Sequence, residues 1–312
     1  MKRFLLTLIV AIFVASSVSA HNPKAWRKLK QNINFIWASD LDKRGCFDQK
    51  VIANTMGEMA AAIKPKCMVL TGDTHHGNGV KSAHDDDWKE RFEDIYTHPK
   101  LKKVDWMAAI GNHEYMGNPQ GVVEYSEVNP HWTVTDRYYT RVFKKGGLTI
   151  RFIMLDTTPL IDRYRNSKKH KDAKNQDKEA QLQWLNDVLS QAKEDWVIVA
   201  GHHPIHADTN KSKSERISMR ESVNKILHEH DNVAMYLCGH IHSFQHLREK
   251  GSDIDYIVNS SASQGRVVKR TKGTVYCSPE PGFSVITASK KRLSVHMIDK
   301  NGNILHSVNK RK

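Results

Sequence analysis

The chain has 312 residues, of which 39% are hydrophobic, and a formal net charge of +14. This apolar content is ordinary for a globular protein and is sufficient for a sizeable buried core. The positive charge favours anionic ligands, although it also fits a merely basic surface, with much of the excess in a solvated, mobile loop over 163–178. A nucleic-acid partner is disfavoured, because the sequence has no recognition motif and no basic groove with interleaved aromatic residues.

The first residues have the pattern of a cleavable signal peptide. A positive start at Lys2 precedes an apolar run over 4–14, and small residues end the segment at Ala20. The run is too short to span a bilayer, so we predict cleavage after Ala20, with an uncleaved anchor as the alternative. We therefore assign 1–20 to a signal peptide and 21–312 to one domain. The protein is expected to be secreted or periplasmic, with no transmembrane segment after cleavage.

Five short apolar runs predict buried strands, and each run ends at a polar cluster. In chain order these runs cover 33–39, 67–71, 106–110, 196–200 and 233–238. Apolar residues at helical spacing predict helices over 51–63, 182–189 and 223–227. Strands that alternate with helices indicate an α/β fold.

The pattern changes after His242, where strands follow one another without long helices. We predict strands over 255–258, 282–287 and 293–298, and expect them to complete a second sheet. The four cysteines are widely spaced and form no CxxC motif, which argues against a cysteine zinc site. Cys67 and Cys238 fall within predicted strands, where buried thiols are expected; the sequence leaves disulfide pairing open.

The polar clusters at the strand ends carry groups that bind metals. The clusters are Ser39-Asp40, Gly72-Asp73, Gly111-Asn112-His113-Glu114, Gly201-His202-His203-Pro204 and Gly239-His240-Ile241-His242. Carboxylate, amide oxygen and imidazole suit zinc, iron and manganese. Two such metals about 3.5–4 Å apart clamp the attacking and leaving oxygens of a phosphoryl transfer. Each cluster alone is a common turn, but five of them in order predict a two-metal site.

This series of motifs resembles the calcineurin-like metallophosphoesterases and, among them, the small tartrate-resistant (purple) acid phosphatases. The second resemblance is carried by the stretches 88–96, 152–156, 199–204 and 236–240, and it extends over 34–298. It implies two packed mixed β-sheets flanked by helices in a four-layer sandwich. It also implies hydrolysis of phosphate monoesters by a metal-bound hydroxide, with two metal ions per chain (Fe, Zn or Mn).

The resemblance further implies a role for each matching residue. Asp73 would bridge the two metals. The remaining ligands would be Asp40 and His242 on the first metal, and Asn112, His202 and His240 on the second. His113 would hydrogen-bond the phosphoryl group or protonate the leaving alkoxide, a usual task of a positioned imidazole.

The chain departs from the purple enzymes at the ligand that gives them their colour. They carry a tyrosine three residues after the bridging aspartate, whereas this chain has His76. Either His76 or Asp42 could replace that ligand, and we favour His76 because imidazole ligates a wide range of metals. Without phenolate we expect a Zn, Mn or Fe(II) centre that lacks a visible charge-transfer band. His75 is expected to be a loop histidine that faces the opposite way.

Three further residues stand at informative positions. Lys211 occupies a position where the purple enzymes have a histidine. Lys211 or His206 could supply positive charge near phosphate, although a plain surface role is favoured for both. Glu114 replaces the usual aspartate of the family and could orient a neighbouring histidine or metal ligand.

Three functional hypotheses follow, and the leading one is a phosphomonoesterase of the acid-phosphatase kind. A phosphodiesterase or nucleotide pyrophosphatase of the same superfamily is the alternative enzyme. A non-catalytic metal- or phosphate-binding protein is disfavoured, because all six ligand positions other than the tyrosine are retained. We expect a monomer whose partner is an anionic phosphate ester.

Overall fold

Two β-sheets form the centre of the protein in a computed structural model, which describes residues 23–312. The strands are β1 Ile33–Ala38, β2 Cys67–Thr71, β3 Trp106–Ala109, β4 Tyr139–Lys145, β5 Leu148–Met154, β6 Trp196–Ala200, β7 Val233–Cys238, β8 Phe244–Arg248, β9 Asp255–Val258, β10 Thr274–Ser278, β11 Gly282–Ala288, β12 Arg292–Asp299 and β13 Ile304–Arg311. The signal peptide predicted over 1–20 lies outside the described residues.

Helices flank the two sheets, as the resemblance implies. They are α1 Pro23–Leu29, α2 Gln49–Ile63, α3 Asp86–Trp88, α4 Gln120–Val128, α5 Asp162–Arg165, α6 Lys178–Gln191, α7 Lys213–Met219 and α8 Lys225–His228. Wider π-helical turns continue α3 over Lys89–Glu93 and join α7 to α8 over Arg220–Asn224. Among residues 23–312, no helix is both long and apolar enough to cross a membrane.

Both sheets are mixed, with parallel strands near the centre. The first sheet has the order β13-β12-β11-β1-β2-β3, and the second has the order β10-β8-β9-β7-β6-β5-β4. Strands β1, β2 and β3 run parallel in the first sheet, and β5, β6, β7 and β9 run parallel in the second. This arrangement confirms the predicted fold class. It also gives each sheet a group of parallel carboxyl ends where loops can meet.

Aromatic side chains fill part of the space between the sheets. Phe35 on β1 packs edge-to-face against Phe143 on β4 and Phe152 on β5, with ring centroids 4.9 Å apart in both pairs. Phe35 and Phe152 are fully buried. Such pairs contribute about 0.5–1.5 kcal/mol each beyond the area that they bury.

The five strands predicted before a polar cluster are all present, and the predicted place of the C-terminal strands in a second sheet is confirmed for one strand and wrong for two. β9 joins the second sheet beside β7, whereas β11 and β12 extend the first sheet. The reason is that β11 pairs antiparallel with β1, from Ile33 opposite Ala288 to Trp37 opposite Ser284. The two sheets therefore each combine strands from distant parts of the chain.

The interpretation of 163–178 as a solvated, mobile loop is right for its exposed lysines, such as Lys168 and Lys171, but wrong in leaving the segment without structure. The stretch contains the end of α5 and a 3₁₀ turn over Lys171–Asn175, and Ala173 is fully buried. Arg165 holds the segment together, because its Nη1 donates to the carbonyl oxygens of Ala173 at 3.2 Å and Gln176 at 2.9 Å. The basic segment 163–178 is therefore ordered by hydrogen bonds to its own backbone.

The cysteines behave as the strand pattern predicts. Cys67 and Cys238 are buried, and all four cysteines, which lie within the described residues, are free thiols. Burial raises the pKa of the Cys67 thiol to about 12, so this thiol is uncharged and serves as a small apolar side chain.

Candidate metal centre

The loops that follow five strands, drawn from both sheets, meet at one place. Asp40 follows β1, Asp73 and His76 follow β2, and Asn112 and His113 follow β3, whereas His202 follows β6, and His240 and His242 follow β7. All of the predicted ligands are buried, with exposed fractions between 0% and 7%. Buried polar side chains need polar partners, and these residues contact one another.

Four of these residues hold a backbone conformation that L-amino acids rarely adopt. The φ angles of Asp40, Asp73, His240 and His242 are 52°, 51°, 74° and 56°. The left-handed region is unfavourable for residues with a Cβ, and it persists where the surrounding structure fixes it. Such strain is concentrated at functional sites, and here it points several side chains inward.

The first group of donor atoms combines Asp40, His76 and His242. His242 Nε2 lies 3.2 Å from Asp40 Oδ1 and 3.2 Å from His76 Nε2. His76 Nε2 lies 4.0 Å from Asp40 Oδ1 and 3.7 Å from Asp73 Oδ2. These donor atoms surround a space that one metal ion could fill.

The second group lies next to the first and centres on His202. His202 Nε2 is 3.1 Å from Asp73 Oδ2, 3.2 Å from Asn112 Oδ1 and 3.1 Å from His240 Nδ1. Asp73 Oδ2 therefore faces both groups, which is the position of a bridging ligand. A mixture of carboxylate, amide and imidazole donors suits Zn, Fe or Mn.

The remaining ring nitrogens of three histidines are bonded away from the centre. Nδ1 of His202 contacts the Thr71 carbonyl at 2.8 Å, and Nδ1 of His242 contacts the Gln264 carbonyl at 3.0 Å. His240 uses its other nitrogen, because Nε2 lies 3.2 Å from Glu215 Oε2 and Nδ1 faces the centre. Metal-binding histidines have this outer support, which fixes the tautomer and the direction of the free nitrogen.

Two buried carboxylate oxygens complete the fit to metal ions. Asp40 Oδ1 and Asp73 Oδ2 are shielded from solvent and face imidazole nitrogens, His242 Nε2 at 3.2 Å and His202 Nε2 at 3.1 Å, without a hydrogen bond of good geometry from any described residue. A buried carboxylate oxygen whose polar contacts are incomplete is costly. Both atoms face the imidazole nitrogens of the two groups, so cations bound there would satisfy them.

The charges of the centre suit metal binding once His202 releases its proton. Burial acts to raise the pKa of Asp73, but the adjacent His202 and His113 hold it well below its usual value. Burial would lower the pKa of His202, yet Asp73 raises it to about 9. Burial lowers the pKa of His76 to about 3 and leaves its imidazole neutral. A metal ion would replace the proton on His202 at this ionised carboxylate.

Glu114 ties two of the loops together beneath the centre. Its Oε2 accepts from the backbone N–H of Gly111 at 2.7 Å and of Asp73 at 3.0 Å, and its Oε1 accepts from His75 N–H at 3.0 Å. Burial and the neighbouring Asp73 raise the pKa of Glu114 to about 7. Glu114 thus orients Asp73 through its backbone, rather than through a histidine ring.

Glycine is required where two of these loops touch. A Cβ on Gly111 would overlap Asp73, and a Cβ on Gly239 would overlap the Ser39 hydroxyl and lie 2.6 Å from Asp40 Oδ2. The glycine before each ligand therefore permits the close approach that brings both sheets to one centre.

His113 lies at the open side of the centre. Its side chain is 25% exposed, and its Nε2 is 3.9 Å from Asp73 Oδ2. Its Nδ1 contacts the Gly77 carbonyl at 2.8 Å, which directs Nε2 towards the two donor groups. This is the orientation that proton transfer to a bound ester would need.

The two candidates for the altered ligand position face in different directions. Asp42 faces away from the cluster: its Oδ2 is 3.0 Å from Arg91 Nη1, and its Oδ1 accepts from Arg44 N–H at 2.7 Å. His76 faces into the first donor group. His75 points the other way, as expected, but it is buried and packs against Trp88 at a centroid distance of 4.4 Å.

Sequence reasoning misjudged Lys211 and missed Glu215. Lys211 does not have the plain surface role favoured above, because its Nζ lies 3.1 Å from His240 Nδ1. Glu215 supports the same histidine from α7. His206 Nε2 lies within hydrogen-bond distance of Glu249 Oε2, at 3.2 Å, away from both donor groups. No motif marks Glu215, since its role depends on how α7 packs on the loop after β7.

The candidate ligands all lie within the part of the chain that matches a known protein family. The sequence profile of the calcineurin-like phosphoesterases matches residues 33–244, from β1 to the start of β8. The chain belongs to this family. It therefore has a metallophosphoesterase domain with donor groups that could hold a dinuclear centre.

Acid phosphatases are among the relatives of this calcineurin-like phosphoesterase. It is 27% identical to tartrate-resistant acid phosphatase type 5 of Rattus norvegicus over 271 residues, which cover 82% of this chain and 80% of that protein. It is 29% identical to purple acid phosphatase 17 of Arabidopsis thaliana over 247 residues, which cover 75% and 69%. These likenesses confirm the resemblance to purple acid phosphatases.

Solved structures show the same fold at lower identity. GAP50, described as the anchor in the inner membrane complex of Plasmodium, has a TM-score of 0.76 and 21% identity, and covers 89% of this chain and 88% of its own. A dimetal phosphatase from Danio rerio has a TM-score of 0.62 and 16% identity, with coverage of 90% and 99%. At these identities the likeness concerns the fold alone.

Proposed function

We propose that this protein is a metal-dependent phosphomonoesterase with two metal ions per chain. The observation that carries the proposal is the pair of adjoining donor groups that share Asp73 Oδ2. Asp40, His76 and His242 would hold one metal, and Asn112, His202 and His240 would hold the other. When bound, such metals lower the pKa of water and neutralise charge that develops on a phosphoryl group.

The residues at the open side support the same chemistry. His113 would hydrogen-bond the phosphoryl group and give a proton to the leaving oxygen, since its Nε2 faces the centre. The Lys211 ammonium, beside His240, would attract the anionic ester. The buried environment strengthens both effects, because a low dielectric weakens charges less than water does.

The monoester specificity is supported by the acid phosphatases among the relatives. Histidine in place of the chromophoric tyrosine favours Zn, Mn or Fe(II) over Fe(III). We further propose that residues 21–312 act as one domain, that 1–20 are removed and that the protein is secreted or periplasmic. The amino-terminal sequence of the protein recovered from the medium or periplasm tests the cleavage after Ala20.

The activity is tested with metal-stripped protein reconstituted with Zn, Mn or Fe. We expect hydrolysis of p-nitrophenyl phosphate to return with two metals per chain, and hydrolysis of bis(p-nitrophenyl) phosphate to be slower. Preferred hydrolysis of the diester would replace the proposal with a phosphodiesterase. Two bound metals without turnover of either ester would point to a non-catalytic binding protein.

A further inference from the structure

A second positively charged site lies beside α7, outside the metal centre. It is a concave cleft of about 390 Å³ between α7, the start of the π-helical turn after it, and the turn at residues 271–272. Lys213, Arg216 and Arg220 face it from the helix, and Lys272 faces it from the turn. Ile217 and Leu247 supply apolar surface. We call this site the basic cleft.

The spacing along the helix explains why the cleft is separate from the metal centre. Lys213, Arg216 and Arg220 are three and four residues apart, so they share one helix face. Glu215 and Met219 lie on the buried face, where Glu215 contacts His240. One face of α7 therefore supports a candidate metal ligand, and the other lines the cleft.

The four cations of the basic cleft have no anionic partner. Within residues 23–312, Lys213, Arg216, Arg220 and Lys272 form no ion pair and no side-chain hydrogen bond, and no carboxylate lines the cleft. Other arginines of the protein are paired, such as Arg151 with Glu194 at 2.7 Å. Like charges that are held together without a partner repel one another and attract an anion.

Nearby acidic residues neutralise only part of this charge. Asp208 acts on Arg216 through space, but its Oδ2 already accepts from Lys269 N–H at 2.7 Å. Glu249 Oε2 is shared among His206, His228 and Asn224, each at 3.2 Å. Burial, assisted by Arg220, lowers the pKa of Arg216 against the opposing pull of Glu215 and Asp208. The cleft thus keeps an excess of positive charge.

We propose that the basic cleft binds a compact, soluble oligophosphate. Two guanidinium groups can each form two parallel hydrogen bonds to a phosphate group, and the lysines add charge on either side. The volume lies within the range of small-molecule sites. The described lining includes no Phe, Tyr or Trp side chain. Its imidazole, His206, is held by Glu249 at 3.2 Å and packs edge-on against Tyr256, so the cleft offers no free platform for a stacked base, and a nucleic acid is not the expected ligand.

Binding in the cleft would also fix the helix that supports the metal centre. Lys211 and Glu215 both contact His240. Lys211 lies just before α7, and Glu215 lies within α7, beside Arg216. An anion held by Arg216 and Arg220 would therefore restrain this support. The proposal concerns binding alone, so it stands or falls independently of the phosphomonoesterase function.

The test uses metal-loaded protein and myo-inositol hexasulfate, a polyanion with no phosphoester to hydrolyse. Calorimetric titration compares the wild type with the double variant Arg216→Gln/Arg220→Gln. The matched control is Lys144→Gln/Lys145→Gln, which removes the same charge from exposed residues of β4. We expect the cleft variant to raise the Kd at least about tenfold and the control to change it less than about twofold, because the arginines form direct charge-assisted bonds.

Three results would overturn the proposal. Equal weakening in both variants would show that the anion responds only to overall charge. An unchanged Kd in the cleft variant would place the anion elsewhere, the metal centre included. If inorganic sulfate bound as tightly as the hexasulfate, the cleft would not select an oligoanion. Circular dichroism and metal content of each variant establish that the fold and the metal centre are intact.

Discussion

The replacement of Arg91 by methionine tests how the loop that carries His76 is held. Arg91 Nη1 lies 3.0 Å from Asp42 Oδ2 and donates to the His76 carbonyl at 3.0 Å. Its Nε forms a second ion pair, 2.8 Å from Asp87 Oδ1. The side chains of Arg91 and Asp42 are only 8% and 2% exposed, so solvent cannot replace either partner.

The expected magnitude follows from this burial. Removing one partner of a buried pair leaves an uncompensated charge and costs about 3–5 kcal/mol. We therefore expect Arg91→Met to lower the free energy of unfolding by that amount. The double variant Asp42→Asn/Arg91→Met removes both charges, so we expect a loss of only about 1–2 kcal/mol, mainly from the lost bond to the His76 carbonyl.

A lower pH should reduce the stability loss caused by Arg91→Met. Burial already raises the pKa of Asp42, and Arg91 opposes that rise. Without Arg91 the pKa rises further, and the carboxyl takes up a proton as the pH falls. We therefore expect Arg91→Met to lower the free energy of unfolding less at pH 5 than at pH 7.5. Both values lie in the range of about pH 5–8 where proteins are usually most stable.

The assay is urea unfolding of the metal-free variants, monitored by circular dichroism. The control is Lys89→Met, which breaks an ion pair with Asp94 whose side chains are 69% and 54% exposed, and which should cost less than about 1 kcal/mol. A loss below about 1 kcal/mol for Arg91→Met, or equal losses for the single and double variants, would refute the reasoning. Asp42→Asn should also keep both metals; loss of one would make Asp42 a ligand.

Three further predictions concern single residues. Glu114→Ala leaves three backbone N–H groups without their acceptor. We expect the free energy of unfolding to fall by about 2–4 kcal/mol and metal to be retained less well, as measured by urea unfolding and by elemental analysis after dialysis. Full retention of metal would contradict the role assigned to Glu114. His113→Ala should keep both metals and lower kcat about 10²–10⁴-fold, with a larger loss for alkyl phosphates than for p-nitrophenyl phosphate; equal losses would exclude His113 as the acid. His296, 9% exposed on β12, has a pKa lowered by burial from 6.5 to about 4. The stability that its neutral form provides is complete above pH 6.5 and is lost as the pH falls towards 4, by at most about 3 kcal/mol. His296→Gln should remove that slope in urea unfolding, and an unchanged slope would contradict the assignment.

Much of the centre could be predicted from the sequence, because its ligands lie next to strand ends. A short apolar run fixes where a strand stops, and the parallel ends of one sheet bring the following residues together. Asp40, Asp73 and Asn112 follow neighbouring strands of the first sheet, and His202 and His240 follow neighbouring strands of the second. Local pattern therefore carried most of the information about the donor atoms.

The remaining features depend on contacts between distant residues. Arg91 reaches Asp42 across 49 residues of sequence, and Lys211 reaches His240 across 29. Neither contact leaves a local pattern, since a charged residue beside a helix has the same appearance whether it faces solvent or a ligand. The same limit explains why β11 could not be assigned to the sheet of β1.

Among the described strands, three of the four at sheet edges, β4, β10 and β13, were missed for a different reason. Strands β4 and β13 include the polar or basic residues Arg141, Lys144 and Lys310 and lie at the edges of their sheets. Edge strands carry such residues because one side faces solvent and must not pair with other chains. Their hydrophobic pattern is therefore weaker than that of the buried central strands.

The central claim is that two metal ions at the donor groups around Asp73 hydrolyse phosphate monoesters. The most direct measurement is metal content and p-nitrophenyl phosphate hydrolysis in parallel, for the wild type and Asp73→Asn. We expect the reconstituted wild type to hold two metals and to hydrolyse the ester, and the variant to lose metal and activity together. A wild type that hydrolyses the ester without metal, or a variant that keeps both metals and full activity, would contradict the account.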